Sequence, residues 1–287
     1  MRGARSALRT GTLATVAQAA RPIGLGRRLV YNESMGRLSP RLSALVRWIE
    51  PGSRLADVGT DHALLPRALL RSGRIVRAVG IDVLPHVVRD LQGELRREGF
   101  GEELEVRRGS GLSPLAPGEV DIVVIAGLGA ETVRAILEEA GEKLATYRRL
   151  LVVPTDEAGP LRRWFYRHDI PLIDEEVVWD GGRGYEILVA SLAEFGDRTA
   201  ARAPYDALLP HPLHLLFALG PHLYVRRPKA WCALWKVRLS RRAARLASTA
   251  RARTPEGVRR HRRFRAAYDL LRRALGTENF SCESSDT

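Results

Sequence analysis

Residues 54–66 decide the fold, and they read RLADVGTDHALLP. An apolar run gives way to a glycine turn and then to apolar residues at helical spacing, which predicts a strand over Arg54–Gly59 and a helix over Ala63–Ser72. Gly59 lets the backbone turn tightly beside a ligand. Ligands of open α/β sheets bind at the carboxyl ends of the strands, so this stretch predicts a ligand-binding turn.

The alternation of short apolar runs and helical patterns continues on both sides of this stretch. A helix is predicted over Leu38–Ile49, stopped by Pro51 and Gly52. Further strands are predicted at Arg77–Asp82, Leu104–Arg108, Asp121–Gly127, Arg149–Pro154, Leu172–Trp179 and Tyr185–Ser191. Further helices are predicted at Pro85–Glu98, Thr132–Leu144 and Glu157–His168. The last two strands flank a glycine-rich turn, so the pattern predicts an α/β fold with a doubly wound, Rossmann-like sheet that ends in an antiparallel hairpin.

Residues 205–275 have no strand pattern. Ala230–Thr249 carries one apolar stripe, and Thr254 with Pro255 forms the start of a second helix. Along that second helix, Phe264, Tyr268, Leu271 and Leu275 recur at steps of three and four. We expect an antiparallel helical hairpin whose stripes pack together and whose arginines face outward.

Charge is distributed unevenly along the 287 residues. Residues 221–275 hold 17 Lys or Arg and two acids, whereas residues 29–220 are mildly acidic. Such asymmetry indicates a polyanion-binding surface on a separate body. The chain therefore divides into a basic flexible arm or misread start (1–36), an α/β domain (37–192), a basic helical domain (205–275) and an acidic tail (276–287).

Composition excludes several classes of protein. No apolar run approaches the roughly 18 residues of a membrane span, so we expect no membrane association. Two cysteines are too few for a disulfide framework or a Cys-rich zinc site and fit a reducing, cytoplasmic location without a metal. The sequence leaves the oligomeric state open, and a monomer is the expectation. Neither a GxGxxG fingerprint nor a P-loop is present, which argues against an NAD-dependent oxidoreductase.

The loops after the first two strands favour S-adenosylmethionine as the ligand. Its sulfonium and amino groups are positive, so carboxylates such as Asp57 are favourable beside it. Asp82 ends the second strand and could accept the ribose hydroxyls, although it could also be an ordinary acid at a helix start. His62 could act as a base or merely form structural hydrogen bonds.

Two later loops are rich in small residues. Gly109, Ser110 and Gly111 follow the third strand, where the adenine of a nucleoside cofactor would lie. Ala126, Gly127, Leu128 and Gly129 follow the fourth strand, where small residues let a methyl donor and an acceptor approach the backbone. Close packing of the loops is the alternative explanation in both places.

These motifs resemble the bacterial tRNA (adenine-22-N1)-methyltransferases of the TrmK type. The most specific stretch is ADVGTDHALLP at residues 56–66, followed by IAGLGA at 125–130 and GYEILVA at 184–190. The resemblance runs from about Leu38 to the basic hairpin. The chain departs from the family's usual residues at Ser110, Ala130 and Thr155.

The resemblance implies a class I methyltransferase that transfers the methyl group of S-adenosylmethionine to N1 of adenine 22 in tRNA, without a metal. It implies Asp61 as the catalytic carboxylate. It also implies a larger set of contacts, with cofactor-binding residues Asp57, Gly59, Thr60, His62, Asp82, Gly109, Ser110, Gly111, Ala126, Gly127, Leu128 and Gly129 and substrate-binding residues Pro154, Thr155, Arg238, Arg241 and Arg242. The departures leave two alternatives, a related methyltransferase with another RNA acceptor or a non-catalytic RNA-binding protein.

Overall fold

A computed structural model describes residues 38–251 and 253–276. Seven strands form one sheet in the order β3-β2-β1-β4-β5-β7-β6. The strands are β1 (Ser53–Val58), β2 (Ile75–Asp82), β3 (Leu104–Arg108), β4 (Ile122–Ala126), β5 (Arg149–Val153), β6 (Leu172–Asp180) and β7 (Arg183–Ser191). The first five are parallel, while β7 pairs antiparallel with both β5 and β6.

Helices cover both faces of this sheet. They are α1 (Pro40–Val46), α2 (Leu64–Arg71), α3 (Pro85–Arg97), α4 (Ala130–Ala140), a 3-10 helix (Gly141–Thr146), α5 (Gly159–Arg167), α6 (Arg198–Asp206), α7 (Leu213–Leu219), α8 (Pro221–Arg226), α9 (Lys229–Thr249) and α10 (Pro255–Leu275). Among the described residues, none of these helices is long and apolar enough to cross a bilayer.

The core explains why β4 is apolar throughout. Successive side chains of a strand point to opposite faces of its sheet. Val123 and Ile125 therefore pack in the cluster that includes α4 and α5, while Ile122 and Val124 pack in the cluster that includes α1, α2 and α3. This two-sided burial confirms the predicted doubly wound, Rossmann-like sheet.

The predicted elements are all present, with ends that differ by a few residues. The largest difference is the helix predicted over Thr132–Leu144, which ends at Ala140 before the 3-10 helix. The hairpin turn is also tighter than predicted, since only Gly181 and Gly182 separate β6 from β7. Both glycines have positive φ, which two-residue hairpin turns of type I′ require.

The helical region packs onto the β6 side of the sheet. Its buried cluster combines Val177 of β6 with Trp231 and Trp235 of α9 and with Leu271 and Leu275 of α10. Helix α6 starts at Arg198, earlier than the predicted boundary at 205. The predicted arm at 1–36, and the predicted tail after Gly276, lie outside the described residues.

Candidate active site at the carboxyl ends of the strands

The turn after β1 holds a buried carboxylate. Asp57 is 8% exposed, and its Oδ2 accepts a hydrogen bond of 2.8 Å from the Thr60 hydroxyl. Burial raises the pKa of Asp57 to about 6, because the charged form loses hydration there. Thr60 is itself buried, and a Cβ on Gly80 would lie 2.9 Å from its methyl group. Gly80, which the sequence analysis missed, therefore makes room for the hydroxyl that orients Asp57.

Beyond this turn, the chain projects a second carboxylate into solvent. The Asp61 side chain is 72% exposed and lies 3.6 Å from Nε2 of His62. Asp61 and Ala63 both have positive φ, at 41° and 47°, which non-glycine residues rarely adopt. The backbone is thus strained at the bend that presents Asp61, and such strain concentrates at functional positions.

Asp82 lies at the end of the neighbouring strand β2. Its Oδ1 accepts a hydrogen bond of 2.8 Å from the Leu84 backbone, and its carbonyl accepts one of 3.0 Å from Gly109. The Asp82 side chain therefore stabilises the turn that leads into α3, and its backbone contacts the loop after β3. This side-chain contact fits an acid at a helix start, which is the alternative to ribose binding, and the ribose role stays a prediction.

The glycines after β3 are required by packing. A Cβ on Gly109 would lie 2.2 Å from Pro114, and one on Gly111 would lie 2.7 Å from Ile136. Both distances are shorter than side chains allow, so neither glycine could be replaced without moving the loop. Ser110 lies between them, and its predicted position beside a cofactor stays a prediction.

The loop after β4 connects the β1 turn to the segment after β5. A Cβ on Gly59 would lie 3.5 Å from the Leu128 side chain, so Leu128 covers the β1 turn. The Leu128 carbonyl accepts a hydrogen bond of 2.9 Å from Thr155, and Asp156 Oδ1 accepts one of 2.7 Å from Ala130 at the start of α4. Asp156 was missed because nothing in the local sequence marks it as the partner of a helix 26 residues earlier.

A cleft of about 660 Å³ opens between this segment and the helical region. Its lining combines acidic, aromatic and basic side chains, namely Thr155, Asp156, Glu157, Trp179, Gly182, Arg183, Gly184, Leu234, Val237, Arg238, Arg241, Arg242, Arg245 and Phe264. Pro154 is buried and is not part of this lining. The structure therefore brings together the predicted substrate residues except Pro154.

Comparison with known proteins identifies the family. A family model described as a methyltransferase domain matches residues 38–188. The tRNA (adenine(22)-N(1))-methyltransferase of Bacillus subtilis (strain 168) is 32% identical over 199 residues, which cover 69% of this chain and 80% of that protein. This chain belongs to that methyltransferase family.

Solved structures agree with this assignment. The crystal structure of the B. subtilis m1A22 tRNA methyltransferase TrmK has a TM-score of 0.74 at 27% identity and covers 83% of this chain and 99% of that one. The structure of M. capricolum TrmK in complex with S-adenosyl-homocysteine has a TM-score of 0.64 at 19% identity, covering 82% and 99%. The second likeness concerns the fold alone. The family resemblance inferred from the sequence is confirmed.

In this methyltransferase, a buried ion network attaches the helical region to the sheet. Glu186 of β7 is 1% exposed and binds Arg162 of α5 at 2.6 Å and Arg238 of α9 at 2.5 Å. Arg162 also donates to the buried Glu175 of β6. Burial alone would raise the pKa of Glu186, but the charges of Arg162 and Arg238 outweigh it and lower the pKa to about 2.

Two of the hairpin arginines predicted to face outward face the methyltransferase domain. Only 11% of the Arg238 side chain is exposed, because it reaches Glu186. Arg242 donates to both oxygens of Glu157, at 2.6 and 2.7 Å. The prediction of outward-facing arginines is therefore wrong for these two. It fails because α9 packs on the sheet edge through Trp231 and Trp235, so the next turns of the helix lie over the cleft. Arg241, in contrast, is exposed.

Proposed function

We propose that this methyltransferase transfers the methyl group of S-adenosylmethionine to N1 of adenine 22 in tRNA. The 32% identity to the B. subtilis enzyme over 199 residues carries the proposal. The accessible carboxylate of Asp61 beside the buried carboxylate of Asp57 supports it. We also propose a cytoplasmic location, as expected for a tRNA-modifying enzyme, and a monomeric state, since the residues of the proposed site all lie on one chain.

The chain's own residues fit the methyl donor. Asp57 has a poorly hydrated carboxylate, which gains most from a nearby cation such as the donor's amino or sulfonium group. The Asp82 carboxylate ends the adjacent strand, where ribose hydroxyls are commonly bound. We place the donor over Gly59 and between these two acids, with its adenine toward Ser110.

When bound, S-adenosylmethionine supplies the methyl group, which bonds to the N1 lone pair as the carbon–sulfur bond breaks and leaves the adenine positively charged. N1 carries no hydrogen, so no base is needed to remove a proton. Asp61 accepts a hydrogen bond from the exocyclic amino group and offsets the positive charge that develops on the ring. The Gly127–Gly129 loop, held by Thr155 and Asp156, leaves room for the two reactants to align, and alignment lowers the barrier by several kcal/mol.

The function is tested by methyl transfer to an unmodified tRNA transcript. We expect the purified protein to incorporate one labelled methyl group per tRNA, and we expect reverse transcription to stop at position 22 because N1 methylation blocks base pairing. A transcript with guanine at position 22 is the matched control and should stay unlabelled. Methylation at another nucleotide would assign a different acceptor, and no incorporation would contradict the proposal.

Donor affinity should fall in acid because Asp57 must be ionised to attract a cation. Its pKa in the free protein is about 6, so binding below that pH must displace a proton. We expect calorimetric Kd values for S-adenosylmethionine to be constant well above pH 6 and to rise by up to about tenfold for each unit below it. Asp57→Asn should bind weakly with no such dependence. His62 lies in the same turn, so His62→Gln is the control and should keep the dependence; loss of the dependence in that variant would contradict its assignment to Asp57.

Neighbouring arginines of α9 should differ in their contribution to tRNA binding. Arg241 is exposed at the cleft, whereas Arg242 is held by Glu157. We expect Arg241→Gln to reduce the slope of log Kd against log salt by about 0.9, the loss of one phosphate contact, and Arg242→Gln to leave the slope unchanged. If both substitutions reduced the slope equally, tRNA would have to displace Glu157 from Arg242. That result would contradict the expected difference between the two arginines.

A further inference from the structure

Phe264 does not pack with the apolar core of the hairpin. Leu271 and Leu275, which share its stripe along α10, belong to the buried cluster around Trp231. Phe264 instead lines the cleft and is half-buried. The expectation that the whole stripe serves packing is therefore wrong at this position, and an aromatic ring is left facing a basic cleft.

One arginine side chain lies over this ring, and a second lines the same cleft. The Arg245 guanidinium lies 5.2 Å from the centroid of Phe264, and Arg241 lines the cleft one turn earlier on α9. Within residues 38–251 and 253–276, neither arginine has an ion pair with a carboxylate. The two acids of the cleft are already engaged, since Asp156 accepts from Ala130 and Glu157 binds Arg242. The cations near Phe264 are therefore available to an anion.

The β6–β7 hairpin forms another part of the cleft lining. It contributes Gly182, whose lack of a side chain leaves that part of the lining open. Trp179 also lines the cleft, and its indole N–H donates a hydrogen bond of 3.1 Å to the Ala230 carbonyl. A volume of about 660 Å³ lies within the range of pockets that hold a small organic ligand. The cleft is large enough for one nucleotide.

An aromatic face with unpaired guanidinium groups suits an unstacked nucleotide of RNA. Bases outside a helix stack on aromatic side chains, while arginines bind the adjoining phosphates. The cleft also reaches Thr155 and Asp156, which hold the loop beside the proposed target adenine. Exposing N1 of that adenine requires unstacking it, which removes one stacking partner from the neighbouring base.

We propose that Phe264 and Arg245 form a stacking site for an unstacked tRNA nucleotide that flanks the target adenine. This site rests on the proposed function, because the nucleotide it binds is a neighbour of the methylated one. Phe264 supplies the ring face that Arg245 does not cover, and Arg245 and Arg241 supply charge for the phosphate of the nucleotide. The site gives the enzyme a contact with the target loop that does not involve the cofactor.

The proposal is tested with the full chain and a single-stranded oligoadenylate probe. We compare Phe264→Leu, which keeps apolar bulk, with Phe264→Trp, which keeps an aromatic face. Tyr268→Leu is the matched control, because Tyr268 lies one turn further along α10 and is not part of the cleft lining. We expect Phe264→Leu to raise Kd about tenfold, and Phe264→Trp and Tyr268→Leu to stay within about twofold of the wild type.

The salt dependence of oligonucleotide binding distinguishes the stacking contact of Phe264 from the phosphate contact of Arg245. We expect Phe264→Leu to keep the wild-type slope of log Kd against log salt and Arg245→Gln to reduce it by about 0.7. The proposal would be overturned if Phe264→Leu and Tyr268→Leu weakened oligonucleotide binding equally. It would also be overturned if Phe264→Trp bound as weakly as Phe264→Leu. Either result would leave Phe264 with a structural role alone.

The same variants separate this inference from the proposed function. If the wild type binds the oligonucleotide through Phe264 but methylates no tRNA, the stacking site stands and the function fails. If the wild type methylates adenine 22 while Phe264→Leu keeps both wild-type binding and the wild-type KM for tRNA, the function stands and the stacking site fails.

Discussion

Asp61→Asn reduces kcat for tRNA methylation by roughly 100-fold or more, the effect of removing one group that stabilises developing charge. The reason is electrostatic, since the methylated adenine becomes cationic and the Asp61 carboxylate is the exposed anion on the bend after β1. Asparagine is the sharper substitution because Asp61 has a φ of 41°, which Asn adopts more readily than Ala. We therefore expect the melting temperature and the Kd for S-adenosylmethionine to stay at their wild-type values.

Asp169→Asn is the matched control for this variant. Asp169 is also an acid with positive φ, at 50°, but it precedes β6 at the opposite edge of the sheet. It should methylate tRNA at the wild-type rate. A rate for Asp61→Asn within a few-fold of the wild type would remove the carboxylate from the mechanism and leave only binding and alignment.

Glu186→Gln lowers the free energy of unfolding by about 3–5 kcal/mol, the usual cost of breaking a fully buried ion pair. The substitution leaves the buried guanidinium of Arg162 with Glu175 alone and removes the carboxylate partner of Arg238. Denaturant unfolding measures the loss. Glu157→Gln is the control, because Glu157 binds Arg242 while half-exposed, and such pairs contribute at most about 1 kcal/mol. Equal losses in the two variants would contradict the account of the buried network.

Acid should remove the same stabilisation in the wild type. The folded pKa of Glu186 is about 2, below its ordinary value of 4.5, so its contribution is complete above pH 4.5 and is lost as the pH falls toward 2. Over that window, the unfolding free energy of Glu186→Gln should fall less steeply than that of the wild type. If the unfolding free energies of the two proteins fell in parallel over this pH range, Glu186 would not be the group responsible for the loss of stability.

The fold could be predicted because each of its main signals is local. The unbroken apolar run of β4 indicates burial on both faces, and the glycine-rich stretch at 180–184 indicates a hairpin, although not its two-residue turn. The position of the candidate site could be predicted as well, since the carboxyl ends of parallel strands share one edge. That rule brings Asp57, Asp82 and the Gly127–Gly129 loop together without any knowledge of side-chain contacts.

The rest depends on contacts between distant segments, which periodicity does not reveal. Arg238 meets Glu186 across 52 residues, and Arg242 meets Glu157 across 85. An arginine on the polar side of an amphipathic helix looks the same in sequence whether it faces solvent or a carboxylate on another element. Phe264 could not be assigned from its sequence position either. Its place in an apolar stripe predicts packing, but α10 runs past the cleft and Phe264 lines that cleft.

The most direct test of the central claim is a calorimetric titration of the folded protein with S-adenosylmethionine. The claim is that the turn from Asp57 to Asp61, together with Asp82, binds this donor. The account predicts saturable binding of one molecule per chain, weakened by Asp82→Asn. Absence of binding heat from pure, folded protein across several buffers and temperatures would contradict it.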